Sequence, residues 1–197
     1  MKHRIGLVIG SLRRDSFNRR LADALRRLAP KSLEFHEIAI GDLPLYNQDD
    51  DGDPHANVQR LKREVKGAEG LVFMTPEYNR SIPGVLKNAL DHGSRPYGQS
   101  VWAGKPAGVL GVSVGLSGTA MAQQHLRNIL AYLDMPTVGQ PEIFLQLRDD
   151  LFDAQGNIGS DITRKMLQQW LERYASWVGR HLPAETQPMR QAARPRA

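Results

Sequence analysis

The sequence predicts an α/β fold, a doubly wound sheet of five parallel strands with helices on both faces. Three observations carry that prediction. Short unbroken apolar runs alternate with stretches whose apolar residues recur every three to four positions. The runs are continuous rather than alternating, as in strands covered on both sides. Three of them end in loops crowded with Gly, Ser, Pro and Asn, the connections that face ligands at the carboxyl edge of such a sheet.

The elements follow in order. Ile5 to Ile9 is an apolar run and reads as the first strand. Phe17, Leu21, Leu25 and Leu28 fall on one face of a following helix. Leu33 to Ile40 alternates, as a more exposed strand does. Val58, Leu61, Val65 and Ala68 mark the second helix, and Gly70 to Thr75 the next buried strand. Val85 to Asp91 is a helix started after Pro83-Gly84, and Pro106 to Ser113 is a further apolar strand. Ala122, Leu126, Ile129, Leu130 and Leu133 predict another helix, Val138 to Leu145 a weaker fifth strand. Ile162, Met166, Trp170, Leu171, Tyr174 and Val178 form the face of a long last helix, which puts Trp170, Tyr174 and Trp177 in a core or an interface.

The chain has 197 residues, enough for one domain with a sizeable core, and 41% hydrophobic against 24% charged residues is an ordinary globular balance. The domain is expected to span residues 1–182. The tail, 183–197, carries Pro183, Pro188 and Pro195 without apolar periodicity and is expected to be disordered. It also carries Arg190, Arg194 and Arg196 against Glu185, which accounts for part of the net charge of +5. No basic stripe with aromatic support remains, so nucleic acid is not an expected partner. The absence of Cys excludes disulfides, thiolate metal sites and a cysteine nucleophile. No apolar run approaches membrane-spanning length, and the stretch after Lys2-His3-Arg4 is too short for a signal peptide. A cytoplasmic protein without a membrane partner is expected.

In a sheet of order 2-1-3-4-5, the three unusual loops converge on one cleft. Loop 1, Gly10 to Asn18, supplies the hydroxyls of Ser11 and Ser16, the amide of Asn18, the guanidinium of Arg13 and the free N–H groups of a helix start. That donor set suits a phosphate dianion. It lacks G-x-G-x-x-G and Gly-Lys-Ser/Thr, so a monophosphate suits it better than a dinucleotide. The plainer reading is a helix cap at Ser16 or Asp15 with solvated arginines. Loop 2, Thr75 to Gly84, is stiffened by Pro76 and Pro83 and presents Tyr78 and Asn79. It reads equally as the seat of a flat heterocycle and as a turn whose Tyr fills core space. Loop 3, Gly111 to Thr119, lets backbone approach a ligand through its glycines. It also matches the G-x-S-x-G elbow of serine hydrolases at Gly111-Val112-Ser113-Val114-Gly115, with Asp153 and His181 downstream to complete a triad. No HGGG-like segment precedes Ser113, and loops 1 and 2 then have no role.

The three segments together resemble the flavodoxin-like NADPH-dependent FMN reductase family, near its quinone and chromate reductase members. Loop 1 is similar to that family's G-S-x-R-x-x-S-x-N phosphate loop. Pro76-Glu77-Tyr78-Asn79 is its P-E-Y-N, and Pro83 to Asp91 its P-G-x-L-K-N-A-x-D helix start. Ser113 to Thr119 resembles its S-x-G-x-x-G-[GT] loop. The resemblance runs from about Ile5 to Glu142. It differs at Arg80 and His92, where relatives often carry Tyr and Trp.

The resemblance implies a flavodoxin-like fold and FMN held non-covalently. Ser11, Arg13, Ser16, Phe17 and Asn18 would surround the phosphate. Pro76, Glu77, Tyr78 and Asn79 would contact the isoalloxazine ring, with Ser113 and Gly115 beside it. Hydride transfer falls to flavin N5, which leaves no side chain with a catalytic role and needs no metal. NADPH or NADH is the implied donor. Quinones, azo compounds, flavin or chromate are implied as small-molecule acceptors, with ping-pong kinetics and a homodimer or homotetramer. An electron carrier of the flavodoxin type is the other reading, and the positive net charge opposes it.

The remaining features read as structure. Asp49-Asp50-Asp51 with Asp53 lacks calcium-loop spacing and reads as a solvated loop that caps the next helix. His125 reads as a satisfied structural histidine, and Arg127 with Glu142 as an inter-subunit ion pair.

Overall fold

Strand β1 (His3–Ile9) lies between two neighbours in the sheet, and its sequence shows why. Ile5, Leu7 and Ile9 alternate with Val8 across the pleat, and all four are buried. The computed structural model describes residues 2–182, so the tail 183–197 lies outside the described residues. Strands β1, β2 (Leu33–Glu37), β3 (Gly70–Met74) and β4 (Ala107–Leu110) form a parallel sheet in the order β2-β1-β3-β4. Ile5 faces Phe35 on one side and Gly70 on the other, and Val72 faces Gly108.

Helices α1 (Phe17–Leu28) and α5 (Asp161–His181) cover one face. Their Leu21, Leu25, Trp170 and Tyr174 pack with Leu7, Val72 and Leu110. Helices α2 (Ala56–Lys66), α3 (Gly84–Ser94) and α4 (Ala120–Tyr132) cover the other, where Leu61, Leu86 and Leu126 meet Val8, Phe73 and Val109. Trp170 and Tyr174 are fully buried and stacked at 5.3 Å, as the helical spacing predicts. Among the described residues, no helix is long and apolar enough to cross a membrane.

The fifth strand differs from expectation. No continuous strand forms over Val138 to Leu145. Thr137 makes a single parallel bridge to Ala107, with the Val138 N–H donating to the Ala107 carbonyl at 2.9 Å. The chain then leaves the sheet and returns as β6 (Leu145–Gln146), paired with β5 (Val112–Ser113) in a separate two-stranded sheet. The excursion spans Gly139-Gln140-Pro141-Glu142, where Gly disfavours strand and Pro141 has no N–H to give a ladder.

Two further expectations are corrected. Arg127 and Glu142 do pair, but within one chain, at 3.1 Å. The N-cap of α2 is His55, whose Nδ1 accepts from the Asn57 N–H at 3.2 Å, and none of the neighbouring aspartates takes that place. Asn47 caps the short 3-10 turn that carries Asp49 and Asp50.

Candidate functional site

The three loops follow β1, β3 and β4–β5, adjacent strands, and meet at their carboxyl ends. The cleft between them has a volume of about 200 Å³. Its lining includes Ser11, Arg13, Ser16, Phe17 and Asn18 from loop 1, Pro76, Glu77 and Tyr78 from loop 2, and Ser113 from loop 3. Asn79 and Gly115, expected with them, do not line it. Asn79 is carried outward on a turn.

Loop 1 is a donor surface. Ser16 is the N-cap of α1, and its Oγ accepts from the Arg19 N–H at 3.3 Å. Its hydroxyl proton stays available for a ligand. Phe17 and Asn18 open the helix, so their backbone N–H groups have no intrahelical acceptor. Ser11 is buried but for one edge, 5% exposed. The Arg13 guanidinium lies 5.0 Å from the Phe17 ring, four residues on in the chain. Arg19, by contrast, is committed to Glu37 through bonds of 2.8 and 2.9 Å. Two hydroxyls, two open N–H groups, the positive end of a helix and one guanidinium fit a phosphate monoester.

Asn18 plays a different part from the one its motif position implies. Its Nδ2 donates to the Val112 carbonyl and its Oδ1 accepts from the Val112 N–H, both at 3.0 Å. The amide bonds loop 3 to α1 and keeps only one N–H for a ligand. Glu77 is also redirected. Its Oε2 accepts from the backbone N–H groups of Met121 and Ala122 at 3.0 and 3.1 Å, and its Oε1 from the Ser117 hydroxyl at 3.1 Å. The carboxylate caps α4, where Thr119 sits at φ 75° and offers no side-chain cap of its own. Gly111 completes the junction, because a Cβ there would overlap the Thr75 carbonyl and the Thr119 hydroxyl.

Tyr78 and Ser81 exchange backbone hydrogen bonds of 2.9 and 3.0 Å around a two-residue turn. Asn79 and Arg80 hold that turn at φ 51° and 65°. Tyr78 is half exposed at the rim of the cleft, so it does not fill core space. His125 is exposed as well, and its Nδ1 lies 2.7 Å from Ser81 Oγ. That contact links a helix to a loop 44 residues away, and sequence reasoning missed it.

The hydrolase reading does not assemble. Ser113 Oγ donates weakly to the Gly115 carbonyl at 3.4 Å. Asp153 accepts from Gln155 and Asn157 within its own loop, and those bonds hold its carboxyl below the usual range. His181 bonds the Trp177 carbonyl and lines a depression with Lys105 and Pro106, at the opposite end of β4. A larger cavity, about 480 Å³, lies between the Pro44–His55 loop and α2. Asp50, Asp51 and Asp53 line it, a poor setting for a phosphate, and none of the three loops reaches it.

The profile of the NADPH-dependent FMN reductase family matches residues 3–148. A 2-hydroxy-1,4-benzoquinone reductase of Burkholderia sp is 53% identical over 178 residues, 90% of this chain and 97% of the relative. A quinone reductase of Pseudomonas putida is 47% identical over 175 residues, 88% and 94% of the two chains. Among solved structures, the flavoenzyme NAD(P)H:(acceptor) oxidoreductase FerB from Paracoccus denitrificans superposes with a TM-score of 0.87 at 41% identity, covering 91% of this chain and 98% of that one.

Proposed function

Because the chain belongs to the NADPH-dependent FMN reductase family, we propose that its three-loop cleft holds FMN and that it reduces quinones and similar small acceptors with NAD(P)H. The observation that carries the placement is the loop 1 donor set around one cleft. Ser11, Arg13 and Ser16 hold the phosphate, together with the N–H groups of Phe17 and Asn18. Pro76 and Tyr78 form the seat of the ring, with Ser113 beside it. Asn18 and Glu77 serve that seat by fixing loops 3 and 2. FMN, when bound, supplies two-electron hydride chemistry between a nicotinamide donor and an acceptor.

A shallow cleft with Tyr78 and Val114 half exposed or more at its rim leaves one face of a planar ring open. Donor and acceptor use that face in turn. The relatives' names point to quinones, and azo compounds, free flavin and chromate are acceptors of the same reach. We further infer one FMN-binding domain over residues 1–182, with the interrupted segment 137–146 as the fifth strand of the order 2-1-3-4-5. A cytoplasmic homodimer or homotetramer, without nucleic-acid or membrane partners, completes the reading.

Titration with FMN, followed by flavin fluorescence, tests the site. The expected result is saturable quenching and a flavin spectrum. Initial rates of NADPH oxidation with a quinone, and no partner protein, should give parallel double-reciprocal lines. No flavin binding ends the proposal, and intersecting lines end the shared face.

A further inference from the structure

We propose that His125 is a positioning residue that sets which acceptors the cleft admits, by holding the Tyr78–Ser81 hairpin against α4. The proposal rests on the cleft being the flavin and acceptor site. The hairpin has only two backbone bonds of its own, at 2.9 and 3.0 Å. Its corner residues, Asn79 and Arg80, are both at positive φ, and neither is Gly. Among the described residues, no side-chain hydrogen bond holds Tyr78, Asn79 or Arg80. The corner is therefore weakly determined by itself.

Contacts from Glu77 and Ser81 to α4 fix it. Glu77, just before the hairpin, accepts from Met121 and Ala122 in the first turn of α4. Ser81, its last residue, meets His125 at 2.7 Å, four residues beyond Met121. Both fixings therefore fall within the first two turns of α4. Paired residues of an antiparallel bridge project to the same side. The Tyr78 ring and the Ser81 hydroxyl therefore share a face, and the His125 contact bears directly on where the ring stands. Tyr78 is 50% exposed and lines the cleft, so under the proposed function it would meet the outer part of a large acceptor.

Amide hydrogen exchange on the flavin-free protein tests the positioning. His125→Ala and Ser81→Ala should each speed exchange at Tyr78 and Ser81 about tenfold, the equivalent of one net hydrogen bond. The double variant should add nothing. His125→Asn, whose amide places a polar atom near the Nδ1 position, should restore protection. In the FMN-loaded protein, His125→Ala should raise KM for a two-ring quinone about tenfold, the scale of one lost pocket contact, with kcat and the KM of a one-ring quinone within about twofold. Unchanged exchange in both alanine variants overturns the proposal, as do additive effects in the double variant or equal KM changes for the two quinones. Failure of the wild-type protein to bind FMN strikes the site reading instead, and the exchange result stands apart from it.

Discussion

Asn18 and Val112 exchange two hydrogen bonds of 3.0 Å, so that a side-chain amide takes the place a neighbouring strand would have at the end of the sheet. Both residues are buried. The bond pair spans 94 positions and is what brings the phosphate-loop helix against loop 3.

Asn18→Leu leaves the Val112 N–H and carbonyl without partners in the interior. A loss of about 2 kcal/mol or more in unfolding free energy is expected, from the cost of buried unpaired polar groups. Urea denaturation checks it. A smaller FMN effect than that of Arg13→Ala would confirm that Asn18 acts on the loops rather than on the phosphate.

Arg13→Ala should weaken FMN binding by about 1.5–3 kcal/mol, the scale of a charge-assisted hydrogen bond. Arg13 is exposed and stacks only on Phe17, so the melting temperature should barely move. Fluorescence titration and a thermal scan read the two quantities separately. Unchanged affinity removes Arg13 from the site.

Gly111→Ala should cost about 3 kcal/mol, at the upper end for overpacking, because the Cβ meets the Thr75 backbone as well as the Thr119 hydroxyl. Arg80→Gly should do the opposite. It relieves a bulky residue at φ 65° and is expected to gain up to about 1 kcal/mol. Equilibrium unfolding of the two variants gives both signs.

His36 sets an acid-side limit. Burial first, and the nearby Arg4 charge second, hold its pKa below the usual value. Glu64 and Glu34 pull the other way and do not offset the shift. The fold therefore favours the neutral ring. The stability it contributes is full above about pH 6.5, the unfolded value, and is lost as pH falls through the lower folded pKa. His36→Leu should flatten the stability curve in that window, measured by urea midpoints. An unchanged slope would assign the acid sensitivity to other groups.

Much of the fold could be read from the chain because its signals are local. The apolar run Gly70 to Met74 and the helical faces of α1 and α5 need no distant partner to be recognised. The three loops were legible for the same reason, as motifs joining strand to helix. What escaped depends on remote contacts. Glu77 finds Ala122 across 45 positions, and nothing near Glu77 announces that it caps a helix. His125 reads from the sequence as a satisfied structural histidine and does have a partner, but that partner, Ser81, lies 44 positions away and the contact is on an exposed edge. The fifth strand is broken rather than continuous because one Gly and one Pro interrupt an otherwise persuasive apolar pattern.

The departure of Gly139 to Glu142 from the β4 side of the sheet has a consequence for how the molecule behaves in crowded solution. A foreign strand arriving at that margin meets a gap instead of a row of amides and carbonyls, and so finds nothing to copy. The opposite margin is short and carries the exposed carboxylates of Glu34 and Glu37, charges that an incoming strand would have to desolvate. Both borders thus discourage open-ended polymerisation.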